Sequence, residues 1–178
     1  MTPALFLRAD QAERRLCLLA NAASRRRILC GVFRGASRLG DGVFWYALMA
    51  SMPLWLGVME GLRAALHMLA VGAVGLALYK VLKRTLVRER PFVGLVGIEC
   101  AMPPLDRYSF PSGHTLHAVA FSTLGVAFVP ALAVVLVPFA ILVAASRVVL
   151  GLHYPSDVLV GAALGAGLAA GSLALLPY

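Results

Sequence analysis

Long apolar runs separated by short polar connections dominate the sequence and restrict the available folds more than any other feature. Several runs approach the roughly 20 residues that an α-helix needs to cross a bilayer. Hydrophobic residues make up 61% of the 178-residue chain and charged residues 13%, about half the ~25% of soluble domains. A soluble globular fold would leave much of this apolar surface exposed. We therefore predict a single membrane-embedded domain over residues 1–178.

Five apolar segments, each bounded by Gly, Pro or charged residues, predict five membrane spans. None shows the alternation of a β-strand, and the chain contains no repeat. The spans cover residues 43–59, 64–82, 114–129, 131–150 and 155–176, with a tight connection at residues 60–63. The predicted fold class is all-α, a polytopic transmembrane helix bundle with about five spans, or six if one is missed near residues 28–60. Residues 43–178 form its transmembrane core.

The last span is expected to lie close to a neighbouring helix. Pro155 suits the first position of a helix because it lacks an N–H group. Small residues at every fourth position let membrane helices approach closely. The glycines with this spacing are Gly161, Gly165, Gly167 and Gly171.

Residues 1–42 form an arginine-rich N-terminal segment. Apolar residues repeat at helical spacing from Leu16 to Ala23 and again from Ile28 to Ala36, with arginines beside them. This pattern predicts an amphipathic helix in the membrane interface, its cations near anionic lipid headgroups. A solvated cytoplasmic tail is the alternative. The net charge is +8, but the arginines flank apolar runs and no aromatic-rich basic platform is present, so no nucleic-acid partner is expected.

A first polar cluster, at residues 83–91, begins where the second span ends. Lys83 and Arg90 are two helical turns apart, so both can reach the same opening at the membrane surface, where the second span ends. Arg90 has a planar fork that matches phosphate oxygens, and Lys83 is a point charge. Anchoring of a helix end at the interface is the alternative, and we favour it for Arg84 and Arg88.

A second polar cluster, at residues 111–114, opens the third span. Ser112 is a suitable N-cap, and a helix N-terminus at Gly113 presents free N–H groups to an anion. His114 lies in the first turn, from which it could pass a proton to a leaving group. An ordinary capped helix is the alternative for this cluster alone.

A third polar cluster, at residues 146–157, lies between the fourth and fifth spans. Arg147 is another phosphate fork, and His153 and Asp157 are four residues apart. A carboxylate bonded to one imidazole nitrogen fixes the tautomer and leaves the other as a nucleophile, although a structural His–Asp hydrogen bond is the alternative. Alternation of five spans puts all three clusters on one membrane face. Polar groups in a membrane are costly, which favours a functional site.

Together the three clusters resemble the signature of the type 2 phosphatidic acid phosphatase (PAP2) superfamily. That pattern is Lys, six residues, Arg-Pro; then Pro-Ser-Gly-His; then Ser-Arg, five residues, His, three residues, Asp. It is filled by Lys83, Arg90, Pro91, Pro111, Ser112, Gly113, His114, Ser146, Arg147, His153 and Asp157. The resemblance covers roughly residues 64–175. Better-known members commonly have six spans, whereas five are predicted here.

The resemblance implies a metal-independent phosphatase that works through a phosphohistidine and needs no cofactor. His153 would attack phosphorus, Asp157 would orient it, and His114 would protonate the leaving oxygen. The phosphoryl oxygens would be held by Lys83, Arg90, Ser112, Gly113 and Arg147. No carboxylate cluster for a metal is apparent, because Glu99 and Asp106 are isolated in the sequence.

The expected substrate is a lipid phosphate or diphosphate, because the site lies at the membrane surface between helices that could admit an acyl or prenyl chain. Polyprenyl diphosphate, phosphatidylglycerophosphate, phosphatidic acid and a lipid A phosphate all stay open. So does a lipid phosphotransferase, which would use a lipid acceptor in place of water. A non-catalytic scaffold or transporter is disfavoured because His114, His153 and Asp157 are all present.

Two arguments about the side of the membrane oppose each other. Fifteen of the 16 Lys and Arg residues, all but Arg63, share the predicted face of the site, and the positive-inside rule places such a face in the cytoplasm. The resemblance implies the outer face, and arginines that bind phosphate bias the count. The expectation is a multi-pass plasma (inner) membrane protein with its active site on the outer, periplasmic face.

Two further histidines and one short segment carry secondary expectations. His67 lies in the middle of a span and is expected to pack in the core. His117 follows His114 by one turn and could line the site. Asp106, with Arg107 and Tyr108 directly after it, precedes the second cluster and could shape the substrate entrance.

Overall fold

The computed structural model describes residues 4–175, with side chains from Arg8 onward, and every regular element in this range is a helix. The predicted all-α fold class is confirmed. The N-terminal segment forms α1 (Ala4–Asn21) and α2 (Arg27–Leu39), joined by a 3-10 turn. The other helices are α3 (Val43–Leu56), α4 (Val58–Thr85), α5 (Pro91–Gly94), α6 (Gly113–Phe128), α7 (Ala133–Val149) and α8 (Pro155–Leu175).

Helix α6 forms the centre of the bundle and packs against α4, α7 and α8. The five predicted spans correspond to α3, α4, α6, α7 and α8. Within residues 4–175, the helical segments long and apolar enough to cross a membrane are Val58–Thr85, Pro130–Val149 and Pro155–Leu175. Helix α3 is apolar but has 14 residues, and α6 is enclosed by its neighbours. The predicted end of the last span, Leu176, lies outside the described residues.

The turn between α3 and α4 lies earlier than predicted. Gly57 turns the chain with a φ of +81°, a conformation that glycine adopts at little cost. A Cβ atom on Gly61 would lie 2.3 Å from Cα of Pro53, so the glycine lets the two helices cross closely. Residues 60–63 belong to the start of α4. There the negative charge of Glu60 interacts favourably with the positive end of the helix dipole, and Glu60 Oε1 lies 2.7 Å from Arg63 Nη1. The predicted connection at residues 60–63 is therefore wrong.

Only part of the glycine series on α8 contacts another helix. Cβ atoms on Gly161 and Gly165 would lie 2.6 Å and 2.3 Å from backbone oxygens of the α6 segment. A Cβ atom on Gly167 or Gly171 would meet no atom within 4 Å. The predicted close approach is confirmed for the first pair and wrong for the second, because the second pair points away from α6.

The N-terminal segment is attached to the end of the bundle where α4 ends and α8 begins. Asn21, at the end of α1, donates to the backbone oxygens of Glu99 and Val149, both at 3.0 Å. The single amphipathic helix predicted for this segment is two helices. Its apolar residues are divided between two surroundings: Ala36 is buried against the bundle, whereas Ile28 is 81% exposed.

Gly165→Ala is expected to destabilise the protein by about 1–3 kcal/mol, the range for overpacked cores, because the added methyl group forces α6 and α8 apart. Unfolding can be measured by circular dichroism while SDS is titrated into mixed micelles. Gly167→Ala is the matched control. It should leave stability unchanged or raise it by up to about 1 kcal/mol, since alanine is the better helix former. Equal losses in both variants would contradict the contact between α6 and α8.

Candidate active site

A cavity of about 390 Å³ opens at the end of the bundle where α4 ends and α6 begins. Its polar end brings the three predicted clusters together and is lined by Lys83, Arg90, Gly113, His114, Arg147 and His153. Its other end is apolar and lies between α3, α4 and α6; it is lined by Trp45, Met49, Leu69, Leu76 and Phe121. The two remaining predicted site residues, Ser112 and Asp157, are fully buried beside the cavity.

Two of the cations at the polar end converge on one carboxylate. Lys83 Nζ donates to Asp106 Oδ1 at 2.6 Å, and Arg90 Nη2 donates to the same oxygen at 2.8 Å. Burial alone would raise the pKa of Asp106, but the hydrogen bonds and charges of Lys83 and Arg90 outweigh it and lower that pKa. Asp106, isolated in the sequence, is thus an anion bound to two predicted phosphate-binding residues.

A glycine turn brings His153 back beneath α7. Gly151 has a φ of +75°, and a Cβ atom there would lie 2.5 Å from the backbone oxygen of Glu99. A side chain is therefore excluded both by backbone conformation and by space. The chain can then reverse directly, and the His153 N–H donates to the Arg147 carbonyl at 3.0 Å.

The imidazole of His153 is buried between an anion and a cation. Its Nδ1 lies 3.6 Å from Asp157 Oδ2, and its Nε2 lies 3.4 Å from Arg90 Nη1. Burial, followed by the charges of Arg147 and Arg90, lowers the pKa of His153 well below its ordinary value. The ring is therefore neutral near pH 7, with Nε2 on the side of the cations.

Asp157 is fully buried in the first turn of α8, and besides facing His153 it accepts hydrogen bonds from Tyr154 and Arg88. Its Oδ2 accepts the Tyr154 N–H at 2.9 Å, and its Oδ1 accepts from Arg88 Nη1 at 2.6 Å. Arg88 is fully buried, so the prediction that it anchors a helix end at the interface is wrong. The reason is that α4 ends at Thr85, and the chain beyond it turns Arg88 into the protein. Arg84, still on the helix, is exposed.

The start of α6 has the predicted cap. The Ser112 hydroxyl oxygen accepts the Thr115 N–H at 3.4 Å. His114 follows in the first turn, and its Nε2 lies 3.5 Å from Asp41 Oδ1. His117 lines the cavity, and its Nδ1 and Nε2 lie 2.9 Å and 3.2 Å from the backbone oxygens of Gly113 and Gly72, so the nitrogen that carries the proton can donate to one of them.

The N-terminal segment contributes two side chains that the sequence patterns did not single out. Ser37 on α2 accepts a hydrogen bond from Arg147. Asp41, in the turn before α3, lines the cavity; burial raises its pKa and the charge of Arg147 opposes that rise. In the sequence, Ser37 belongs to an amphipathic helix and Asp41 to a glycine-rich helix break, so neither has a distinguishing signal.

Comparison with known proteins agrees with this arrangement. The family model of the PAP2 superfamily matches residues 64–178, and the chain belongs to this superfamily. It is 37% identical over 137 residues to the decaprenylphosphoryl-5-phosphoribose phosphatase of Mycobacterium tuberculosis, covering 75% of this chain and 72% of that protein. Family and relatives together make the protein a phosphoric monoester hydrolase.

Two solved structures share the fold. LpxE of Aquifex aeolicus superposes with a TM-score of 0.77 at 24% identity, covering 90% of this chain and 93% of that one. A transmembrane PAP2-type phosphatidylglycerolphosphate phosphatase from Bacillus subtilis superposes with a TM-score of 0.71 at 28% identity, covering 97% of this chain and 87% of that one. With the apolar helices α4, α7 and α8, these likenesses identify a multi-pass membrane protein.

His153→Gln is expected to reduce the acid sensitivity of folding. Folded His153 is neutral, with a pKa below the ~6.5 of an unfolded chain. The unfolded state therefore binds more protons below that pH, and stability falls as pH falls. Between about pH 7.5 and about pH 5.5 the wild-type Tm should drop more than that of the variant, which corresponds to a difference of up to about 1.4 kcal/mol per pH unit in the free energy of unfolding. Tryptophan fluorescence in a non-ionic detergent measures the Tm of the wild type and of the variant. Equal drops in the two Tm values would contradict a neutral buried His153.

Proposed function

We propose that the protein is a metal-independent lipid phosphate or diphosphate phosphatase that acts through a phosphohistidine. The observation that carries the proposal is the orientation of His153. Its Nδ1 faces Asp157, and its Nε2 lies beside Arg90 at the cationic end of the cavity. A neutral imidazole held in this way has its attacking nitrogen on the phosphate side.

In the first step of the proposed reaction, His153 Nε2 attacks phosphorus while the bond from phosphorus to the lipid oxygen breaks. His114 gives a proton to that oxygen, and Asp157 stabilises the imidazolium. In the second step, His114 takes a proton from water, the water oxygen attacks phosphorus, and phosphate leaves with His153 restored. The proposed reaction has five residues bind the phosphoryl oxygens and stabilise the charge that builds on them: Lys83, Arg90, Ser112, Gly113 and Arg147.

Metal independence is supported by the cationic groups of the site. Lys83, Arg90 and Arg147 line the cavity together, and three fixed cations can stabilise the charge that builds on a transferring phosphoryl group. Residues 4–175 include no group of three His, Cys, Asp or Glu residues placed to hold a metal ion.

A lipid substrate is supported by the apolar part of the same cavity. It extends from the cations between α3, α4 and α6, past Trp45, Leu69 and Phe121, and has the chemistry of a site for an acyl or prenyl chain. The relative from Mycobacterium tuberculosis is named for a decaprenyl-linked phosphoribose. We therefore place polyprenyl-linked phosphates first among the four lipid classes.

The N-terminal segment is proposed to rest in the membrane interface on the side of the site. Leu19 and Ile28 are 65% and 81% exposed and would enter the apolar boundary of the bilayer. Arg25, Arg26 and Arg27 are exposed between them and would meet anionic headgroups.

His153→Ala should lower phosphate release at least about 1,000-fold, because it removes the group assigned to accept the phosphoryl group. Wild-type activity should survive EDTA and be blocked by vanadate. The assay measures free phosphate from the four lipid classes in detergent, with His67→Gln as a control for a histidine outside the cavity. Robust activity in His153→Ala would refute the mechanism. A shortfall of free phosphate matched by newly phosphorylated lipid would identify a phosphotransferase.

We propose that the active site faces the outside of the plasma membrane, as the family resemblance implies. Cys100 reports this side because it is exposed and its neighbour Ala101 bonds to Leu150 at the active-site end, at 3.2 Å. Cys17 and Cys30 are buried. A membrane-impermeant maleimide should therefore label the protein in intact cells, and Cys100→Ser should abolish this labelling. Labelling only after permeabilisation would place the site in the cytoplasm.

A further inference from the structure

The buried guanidinium of Arg88 joins the start of α8 to the N-terminal helix α1. Arg88 Nη1 donates to Asp157 Oδ1 at 2.6 Å and to Ser156 Oγ at 2.7 Å. On its other edge, Nε and Nη2 donate to Asp10 Oδ1 at 2.9 Å and 2.7 Å. Glu13 Oε1 lies 3.6 Å from Nη2. One side chain thus connects the segment after α4 with two helices that are distant in sequence.

The setting of Arg88 restricts its orientation. The ring of Tyr154 covers one face of the guanidinium, whose Cζ lies 3.9 Å from the ring centroid. Burial alone would lower the pKa of Arg88, but Asp157 and Asp10 outweigh it and raise that pKa. Asp157 therefore always has a cation beside it, in a planar geometry that suits a carboxylate.

Helix α1 supports the start of α8 through a second contact. Glu13 Oε2 accepts the Ser156 N–H at 2.9 Å. This N–H belongs to the first turn of α8, where backbone donors have no partner within the helix. The far end of α1 is held by Asn21, which also accepts the Glu99 N–H at 2.9 Å. The middle of α1, through Asp10 and Glu13, and its C-terminal end, through Asn21, are therefore tied to the surroundings of the site.

We propose that Arg88 is a positioning residue for Asp157, and that α1 holds Arg88 in place through Asp10 and Glu13. The proposal rests on the proposed role of Asp157 as the partner of His153. Arg88 occupies Oδ1 of Asp157, while Oδ2 faces the imidazole. Without Arg88 the buried carboxylate would favour its neutral form, which cannot stabilise an imidazolium. Arg88 lies outside the cavity lining, so the loss should affect turnover and not substrate binding.

Several other ionisable groups surround the pair formed by Arg88 and Asp157 and influence how the charge of this pair depends on pH. They are Asp10, Glu13 and Cys17 on α1, Arg90 after α4, and His153 and Tyr154 before α8. Among them Asp10 is the group in direct hydrogen-bond contact with Arg88 on the side away from Asp157. Asp10→Asn therefore tests the contribution of α1 without altering Asp157 or Arg88.

The experiment compares the full chain with Arg88→Gln, Arg88→Lys and Asp10→Asn in detergent. Farnesyl phosphate and dioctanoyl phosphatidic acid are the substrates, and orthovanadate is the probe of the phosphate site. Arg88→Gln should lose about 100-fold in kcat with KM and vanadate affinity within about 3-fold. The acid limb of its kcat/KM profile should move up by about 1–3 pH units. Arg88→Lys should recover about 10-fold in kcat and the wild-type acid limb, and Asp10→Asn should lose about 3- to 10-fold in kcat.

The controls are Arg84→Gln in the last turn of α4 and Arg15→Gln on α1, both exposed and both expected to match the wild type. A folded Arg88→Gln with wild-type kcat and acid limb, or with a raised KM alone, would overturn the role of Arg88. If Arg88→Gln does not fold, Arg88→Lys decides instead. An Arg88→Lys variant with native Tm that keeps neither the turnover nor the acid limb would also overturn the role of Arg88. Asp10→Asn with native Tm and unchanged kcat would overturn the role of α1. Failure of the proposed function is distinct, because it appears as full activity in His153→Ala.

Discussion

The pairing of buried charges at one end of an apolar bundle is the constraint on which the rest of this structure depends. Leaving a buried charge without a partner costs about 3–5 kcal/mol, so each buried cation requires a partner from elsewhere in the chain. Lys83 and Arg90 share Asp106, while Arg88 lies between Asp157 and Asp10. These pairs fix the loop after α5, the N-terminal helix and the start of α8 relative to one another.

Close helix packing supplies the frame that makes this pairing possible. Gly161 and Gly165 allow the backbones of α6 and α8 to touch, and Gly61 does the same for α4 against α3. The helix ends that carry the three clusters therefore converge on one cavity, whose other end is apolar. A phosphate group and a hydrocarbon chain find matching chemistry within the same space, as a lipid phosphate requires.

The side chains of the site form two groups. One lines the cavity and carries most of the PAP2 signature, including His153, His114 and Arg147. The other group contacts signature residues without belonging to the signature; its members are Ser37, Asp41, Arg88 and Asp106, of which Asp41 and Asp106 also line the cavity. Part of this second group comes from the N-terminal segment, which lies outside the family match at residues 64–178. That segment is therefore part of the site's architecture as well as a predicted membrane contact.

The sequence by itself determined the features that depend on local chemistry and length. Apolar runs define the helices, Ser112 and Pro155 mark where two of them begin, and the signature spacing identifies the residues that meet in the cavity. The tertiary structure decided what depends on contacts between distant segments. The burial of Arg88 against Asp157 joins residues 69 positions apart in the chain, and Asp10 joins the same guanidinium across 78 positions. Helical periodicity reports which way a side chain points on its own helix, but the partner of a charge beyond a helix end is set by how the whole chain packs.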